Sequence, residues 1–427
     1  MMLPEFTWVD FLLCFILLVF GTYGVFFFKR KLQITSRFFI PFFYAKLVGL
    51  ITFIGVYYFY YQGGDTFLYY RSGEMLFHQF ITSPQAYFSL LFSDNHHMIA
   101  KLSGICSVCG FRGDYSAVFM IKIVSIFNII LFNSFWAISI VFCYISFIGS
   151  WFLYKGFEKI FNVVDKHQLV LVLFVPSVVF WTSGILKDTL SYSALGILFY
   201  LLVTPFKKKS LYLLFLSLCL LLFWIKSYVV LCFILAYLFY LILLLIQKEI
   251  TPPQKKLLGA MAVIFLGLIT VEVLHEFKWL NHAFIRLHDF HDFHSMNSAN
   301  TYSLGTIQYD VIHLLSKLPQ AFVTAMYRPY LWEVPNVLMW EMALESMVFF
   351  TMFIYVIGSI RIKIFDTIRK KPMVFFCLSF VLFLAFVVGL SSFNFGALSR
   401  YRVPLLPFYI ASLLFLITTF KNRVKAV

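Results

Sequence analysis

Runs of about 20 mostly apolar residues, the length a helix needs to cross the hydrocarbon core of a bilayer, recur along almost the whole chain. They fall near 9–28, 42–62, 135–154, 168–186, 189–206, 210–227, 229–246, 257–275, 338–360, 373–391 and 404–420. In lipid a spanning backbone must satisfy its own hydrogen bonds, which leaves helices or a closed barrel. No stretch alternates apolar and polar residues as barrel strands do. Composition agrees: 62% of the 427 residues are hydrophobic and 12% are charged, about half the charged share of a soluble domain. A soluble enzyme, a disordered chain and a single anchor carrying a soluble domain are excluded. The expected fold class is all-α, a polytopic membrane helical bundle of about 11 spans. It is read as one integral membrane domain over 1–427, with extracytoplasmic segments at 63–134 and 276–337. The first apolar run has no basic segment before it and no small-residue cleavage site after it, so it is expected to stay as a helix.

The net charge of +15 invites a nucleic-acid reading, and its distribution argues against one. Six loops, at 29–37, 155–166, 207–209, 248–256, 361–371 and 421–425, hold 21 of the 34 Lys and Arg and only four acids. Basic residues concentrated in short loops mark the cytoplasmic side. All six loops share that side if the N-terminus, with Glu5 and Asp10, lies outside and the C-terminus inside. Residues 115–133 would break this parity as a span, and Lys122 stands in their middle. They are read as a helix at the outer interface. No partner role for nucleic acid follows; the partner is the bilayer itself.

Polar residues gather on the predicted outer side. The first outer segment opens Gly63-Gly64-Asp65, where the glycines end a helix and Asp65 N-caps an interfacial helix over 66–80. Arg71, Glu74 and His78 fall on adjacent helical positions, and Arg71–Glu74 reads as an ordinary surface ion pair. Pro176-Ser177-Val178-Val179-Phe180-Trp181-Thr182-Ser183-Gly184 breaks a helix before Lys187-Asp188. There Lys187 is expected to snorkel toward headgroups, and Trp181 to join the interfacial aromatic belt. Trp224-Ile225-Lys226-Ser227-Tyr228 reads as a second belt anchor. Farther on, Arg328 and Glu333 sit in an aromatic stretch, Glu341 and Glu345 stand one turn apart, and Arg400 and Arg402 precede the last span. Guanidinium groups there suit a phosphate, which they grip through two parallel hydrogen bonds, or lipid headgroups.

Two other signals are weaker. His288, His291 and His294 recur every third residue among aspartates, a run able to hold a divalent metal through imidazole and carboxylate, although its spacing fits no standard zinc pattern. Solvated loops also carry such runs, so no cofactor is assigned. Cys106 and Cys109 suit either a tight disulfide in an oxidising compartment or free thiols.

Taken together, a carboxylate at a membrane edge and several cations suit a substrate with a lipid tail, a phosphate at the interface and a sugar above it. The carboxylate would take a proton from an acceptor hydroxyl. Fixed cations would stabilise charge on the departing phosphate. The chain resembles the GT-C superfamily of integral-membrane glycosyltransferases, in its bacterial polyprenyl-phosphate-sugar-dependent branches. The resemblance rests on Gly63-Gly64-Asp65, on Pro176-Ser177 through Lys187-Asp188, and on Arg400-Tyr401-Arg402 with Pro404. It implies Asp65 as catalytic base; the chemistry of the outer polar residues themselves makes Arg71, Glu74, Lys187, Asp188, Arg328, Glu333, Arg400 and Arg402 the candidate substrate-binding residues. Its implied partners are a polyprenyl-phosphate-linked sugar and a glycan, lipid or protein acceptor, in a bacterial cytoplasmic membrane. It extends to O-antigen and exopolysaccharide polymerases; a lipid-linked oligosaccharide flippase or transporter is the contrasting class. Two spans precede the acid-bearing loop where that family usually has one, and Asp65 has no acidic neighbour until Glu74.

The charge distribution predicts sidedness. In a variant without native cysteines, Glu5→Cys should react with a membrane-impermeant maleimide in intact cells, and Lys425→Cys only after the membrane is opened. The reverse pattern would invert the topology.

Overall fold

The computed structural model describes residues 3–93, 114–204, 209–262, 302, 304, 311–334, 336–360 and 363–425. Among them the chain is helical, with no sheet beyond an isolated bridge at Asn394. Six helices are long and apolar enough to cross a membrane: Trp8–Lys31, Phe39–Tyr61, Phe135–Ile160, Lys209–Ile246, Met339–Ser359 and Pro372–Ser391. A seventh candidate is the pair Phe395–Tyr401 and Leu406–Asn422, bent by 65°. The protein is therefore a multi-pass helical membrane protein. It divides into two compact units, Met1–Lys159 with Leu173–Ser227, and Ile160–Val172 with Tyr228–Val427.

The first unit begins with α1 (Trp8–Lys31), started by a reciprocal cap in which the Thr7 hydroxyl and the Asp10 carboxylate each accept the other's backbone N–H. Only Asp10 of α1 is buried and most of its apolar residues are exposed, as suits a helix facing lipid. Its start is pinned where Ser134 donates to Asp10 and Arg71 donates to the Leu3 carbonyl at 3.1 Å. Next come α2 (Phe39–Gly55), which widens into a π-helical turn at Val56–Tyr61, α3 (Asp65–Thr82) and α4 (Pro84–Phe92). Then follow α5 (Tyr115–Ile130) and α6 (Phe135–Ile160). Helix α3 packs along α5, where a side-chain carbon on Gly73 would lie 2.9 Å from the Asn128 amide nitrogen. The buried face of α5 carries Ala117, Ile121, Val124 and Asn128, at helical spacing. At 16 residues α5 is shorter than the six candidate spans.

The segment 168–186, read from sequence as one span, is three short pieces. They are α7 (Lys166–Leu169), a 3-10 turn at Val170–Leu173 and α8 (Pro176–Trp181). Proline holds Val175 extended before it and starts a new helix at its first position. The predicted span 189–206 is α9 (Lys187–Leu202), 16 residues that are almost wholly buried. The two predicted spans 210–227 and 229–246 are two helices that meet across a kink at Lys226, where φ is −146° and ψ 76°; together they are labelled α10 (Lys209–Ile246). Of the predicted span 257–275, residues through 262 continue a helix, α11 (252–262); the rest lies outside the described residues.

The second unit adds α12 (Val311–Ser316), α13 (Leu318–Tyr327), a 3-10 turn at Leu331–Glu333, α14 (Val337–Ile360), α15 (Lys363–Lys370), α16 (Pro372–Ser391), α17 (Phe395–Tyr401) and α18 (Leu406–Lys425). Phe380 meets Phe408 at 4.8 Å between ring centres, and the hydroxyls of Tyr327 and Tyr409 bond at 2.8 Å. Small residues set the closest approaches. A side-chain carbon on Gly389 would lie 2.1 Å from the Ala321 carbonyl, which brings α16 against α13.

The same device joins α6 and α9 in the first unit: a side-chain carbon on Gly196 would lie 2.2 Å from the Gly149 carbonyl. Gly196→Ala should therefore force the two helices apart and cost about 1–3 kcal/mol. Gly24→Ala meets nothing within 4 Å and should be neutral or stabilising by up to ~1 kcal/mol. Thermal unfolding of the detergent-solubilised variants checks the contrast.

Candidate functional site

One face of α2 organises the first unit's polar core. Lys46, Gly49, Phe53 and Tyr57 follow each other at helical spacing and meet the 176–184 segment in turn. The Lys46 ammonium, fully buried, donates to the Ser146 hydroxyl at 2.7 Å and the Thr182 hydroxyl at 2.5 Å. Gly49 lets Val179 approach, and Gly184 lets the Phe53 ring lie where its own side chain would stand. Tyr57 meets Trp181 edge-on, with 6.5 Å between ring centres. The opposite edge of this arrangement is Gly64, whose added side-chain carbon would fall 2.7 Å from the Tyr57 ring. Gly64 also has φ +107°, a conformation that other residues rarely adopt. Two distant motifs, Gly63-Gly64-Asp65 and Pro176 to Asp188, are thus packed together through Tyr57.

Asp65 is the first residue of α3 and Gly64 its N-cap, which corrects the expectation that Asp65 itself caps a helix beginning at Thr66. The carboxylate, partly exposed, stands at the positive end of the helix dipole. One face of α3 carries Arg71 and Glu74, paired at 2.7 Å. This is more than the ordinary surface pair expected. Arg71 also reaches the Leu3 carbonyl, and Glu74 accepts from the Asn133 amide at 2.8 Å. Beside them the Tyr70 hydroxyl donates to the Asn133 carbonyl at 2.7 Å, and burial, reinforced by Glu74, pushes that phenol's pKa up.

Lys187 and Asp188, adjacent in sequence, take different partners. Lys187 donates to the Asp114 carboxylate at 2.9 Å and to the Ser116 hydroxyl at 2.8 Å. It does not snorkel, because Asp114 caps α5 within its reach. Burial alone would raise the Asp114 carboxyl. The Lys187 ammonium, with hydrogen bonds from Ser116 and Ala117, instead holds it below its ordinary value. Asp188 pairs with Lys226 at 2.5 Å, their side chains 1% and 5% exposed. Lys226 is therefore no interfacial anchor. It turns inward at the break in α10, where an unpaired charge would be costly in an apolar surrounding.

The second unit holds the other candidates. The Arg328 guanidinium grips Glu333 through Nε and Nη2, at 3.1 and 2.5 Å, and lies over the rings of Tyr302 and Phe395. Burial drives the Tyr302 phenol pKa up despite that cation. Arg402 is 0% exposed, which corrects its placement on an open outer face. It bonds Glu345 at 3.2 Å, Ser346 at 2.8 Å and the Arg328 carbonyl at 3.2 Å. Arg400, two residues earlier, is partly exposed at the end of α17. The expected guanidinium pair is thus split between a buried ion pair and a half-buried position.

Sequence reading missed Asp114, Lys226 and Lys46 as partners. An aspartate before an apolar helix and a lone cation in each of two apolar runs were the available signals. Glu345 is buried with Arg402 as its partner. Among the described residues no group of three His, Cys, Asp or Glu is placed to hold a metal. His288, His291 and His294, with Cys106 and Cys109, lie outside the described residues. No known protein family, curated protein or solved structure matches this chain.

The buried Asp188–Lys226 pair gives a direct test. Asp188→Asn should cost about 3–5 kcal/mol by leaving the ammonium uncompensated, whereas the double change Asp188→Leu with Lys226→Met should lie near wild type. Thermal unfolding in detergent reads both. A double variant as unstable as the single one would refute the ion-pair account.

Proposed function

We propose that the protein is an integral-membrane glycosyltransferase. It moves a sugar from a polyprenyl-phosphate-linked donor to an acceptor in cell-envelope glycan assembly. The observation that supports this best is the packing of the Gly63-Gly64-Asp65 turn against the Pro176–Asp188 segment through Tyr57 and Trp181. Two of the three motifs behind the GT-C resemblance, more than a hundred residues apart in sequence, belong to one structural feature. It leaves a carboxylate on the first turn after a candidate membrane span.

In this reading the acceptor hydroxyl attacks the anomeric carbon and its proton passes to Asp65. The bond from that carbon to the phosphate oxygen breaks, and polyprenyl phosphate leaves. A lipid phosphate is a competent leaving group, so one carboxylate suffices, unlike a glycosidase with two. Lys187, in the same unit as Asp65, is the cation proposed to meet the phosphate, and in the second unit Arg328 and Arg400 are proposed as substrate-binding residues. Lys187 and Arg328 are neutralised by Asp114 and Glu333, so a phosphate binding there exchanges one anion for another. Arg402, locked to Glu345, serves as a positioning residue. The same reading sets the protein in a bacterial cytoplasmic membrane with about 11 spans, the N-terminus outside and the C-terminus inside.

A flippase or transporter is the second reading. It is favoured by the break in α10 and the buried Asp188–Lys226 pair beside it, since transporters place ions at interrupted helices. Asp65→Asn separates the two. Under the transferase reading it should lower sugar transfer by roughly 10²–10⁴-fold with membrane levels unchanged. Lipid-linked donor would accumulate, read by mass spectrometry of extracted lipids. Wild-type glycan from that variant, together with loss of glycan in Lys226→Met at wild-type membrane levels, would favour the transporter.

A further inference from the structure

Helix α1 ends in a closed turn that builds a basic groove. The Ile34 N–H bonds the Lys29 carbonyl and the Gln33 N–H bonds the Arg30 carbonyl, a Schellman closure with Gln33 at φ 47° in the position glycine usually fills. The chain thereby folds back over the last turn of α1 before α2 begins. The result is a cavity of about 420 Å³. Its polar lining is Lys29, Arg30, Gln33 and Thr35; its apolar wall is Phe26, Ile34 and Ile40.

Among the described residues no acid compensates the charge there. No Asp or Glu occurs between Asp10 and Asp65, and neither Lys29 nor Arg30 takes part in an ion pair among the described residues. The neighbouring cations are engaged elsewhere, Lys31 over the Phe27 ring at 5.6 Å and Arg37 over the Phe38 ring at 5.0 Å. The C-terminal helix dipole amounts to about half a negative charge, and the three cations of the last turn outweigh it. Two free cations, an amide and a hydroxyl beside an apolar wall match a phosphate carried on a hydrocarbon. That wall continues onto the exposed apolar flank of α1, where Phe20 and Tyr23 are each 68% exposed. An inorganic phosphate would gain nothing from it.

We infer that the groove between Lys29, Arg30 and Thr35 is a binding site for the phosphate headgroup of an anionic glycerophospholipid. It is separate from the Asp65 feature and does not depend on the transferase reading. Anionic lipid is drawn to juxtamembrane cations by about 1 kcal/mol each, and the groove adds a seat that a flat basic surface lacks.

Full-length protein in neutral detergent, titrated with phosphatidylglycerol and read by native mass spectrometry, tests this. Wild type should bind phosphatidylglycerol in preference to phosphatidylcholine, with affinity falling as salt rises. The double change Lys29→Gln with Arg30→Gln should weaken binding roughly 10–30-fold. Lys31→Gln with Arg37→Gln, which removes the same charge outside the groove, should leave it within about twofold. Equal losses in both variants would mean diffuse attraction and overturn the site. So would retention in the first variant, equal binding of phosphatidylcholine, or displacement by millimolar inorganic phosphate. The salt dependence in wild type keeps the test informative if a variant is lost to misfolding.

Discussion

The contact of one α2 face with the 176–184 segment is what the first unit's polar interior depends on. It needs two glycines, at 49 and 184, because Val179 and Phe53 occupy the space that any other side chain would fill. It needs a buried ammonium, Lys46, whose two hydroxyl partners come from α6 and from the end of α8. It ends at Tyr57, wedged between Gly64 and Trp181. From that seat α9 begins with Lys187 and Asp188 directed to separate partners. The position of Asp65 and the pairing of Asp188 are both downstream of the same packing.

Charge is handled differently in the two units, though by one rule: a buried ion carries its counter-ion with it. In the first unit Asp188 meets Lys226 where α10 breaks. In the second Arg402 meets Glu345 with help from Ser346 and two carbonyls. Such pairs are poor evidence for stability as such, since apolar replacements of both partners are often tolerated. They are better evidence for specified geometry, because removing one partner is costly. Arg328 and Glu333, aided by two aromatic rings, are a less buried instance of the same pairing.

Much of the architecture was legible from residue order. The multi-pass helical class followed from apolar run length, and the helix expected at 66–80 appears as Asp65–Thr82. Boundaries failed where hydropathy is blind. Residues 168–186 are apolar enough to span, but proline at 176 and the Thr182-Ser183-Gly184 run divide them. Residues 210–246 read as two spans on either side of Lys226, and two helices do meet there across a kink. Lys187 and Arg402 looked solvent-facing because a sequence shows charge without showing the counter-ion that permits burial.

Residue order alone determined that this chain lives in a membrane, that it is helical, and that its cations crowd into six short segments. These follow from local transfer free energies and backbone hydrogen bonding, which act segment by segment. Only the tertiary structure decided which charges are satisfied and by whom. Asp114 with Lys187, Asp188 with Lys226 and Glu345 with Arg402 are pairings across 38 to 73 residues. Ion pairing depends on distance in space, and no local pattern encodes that distance.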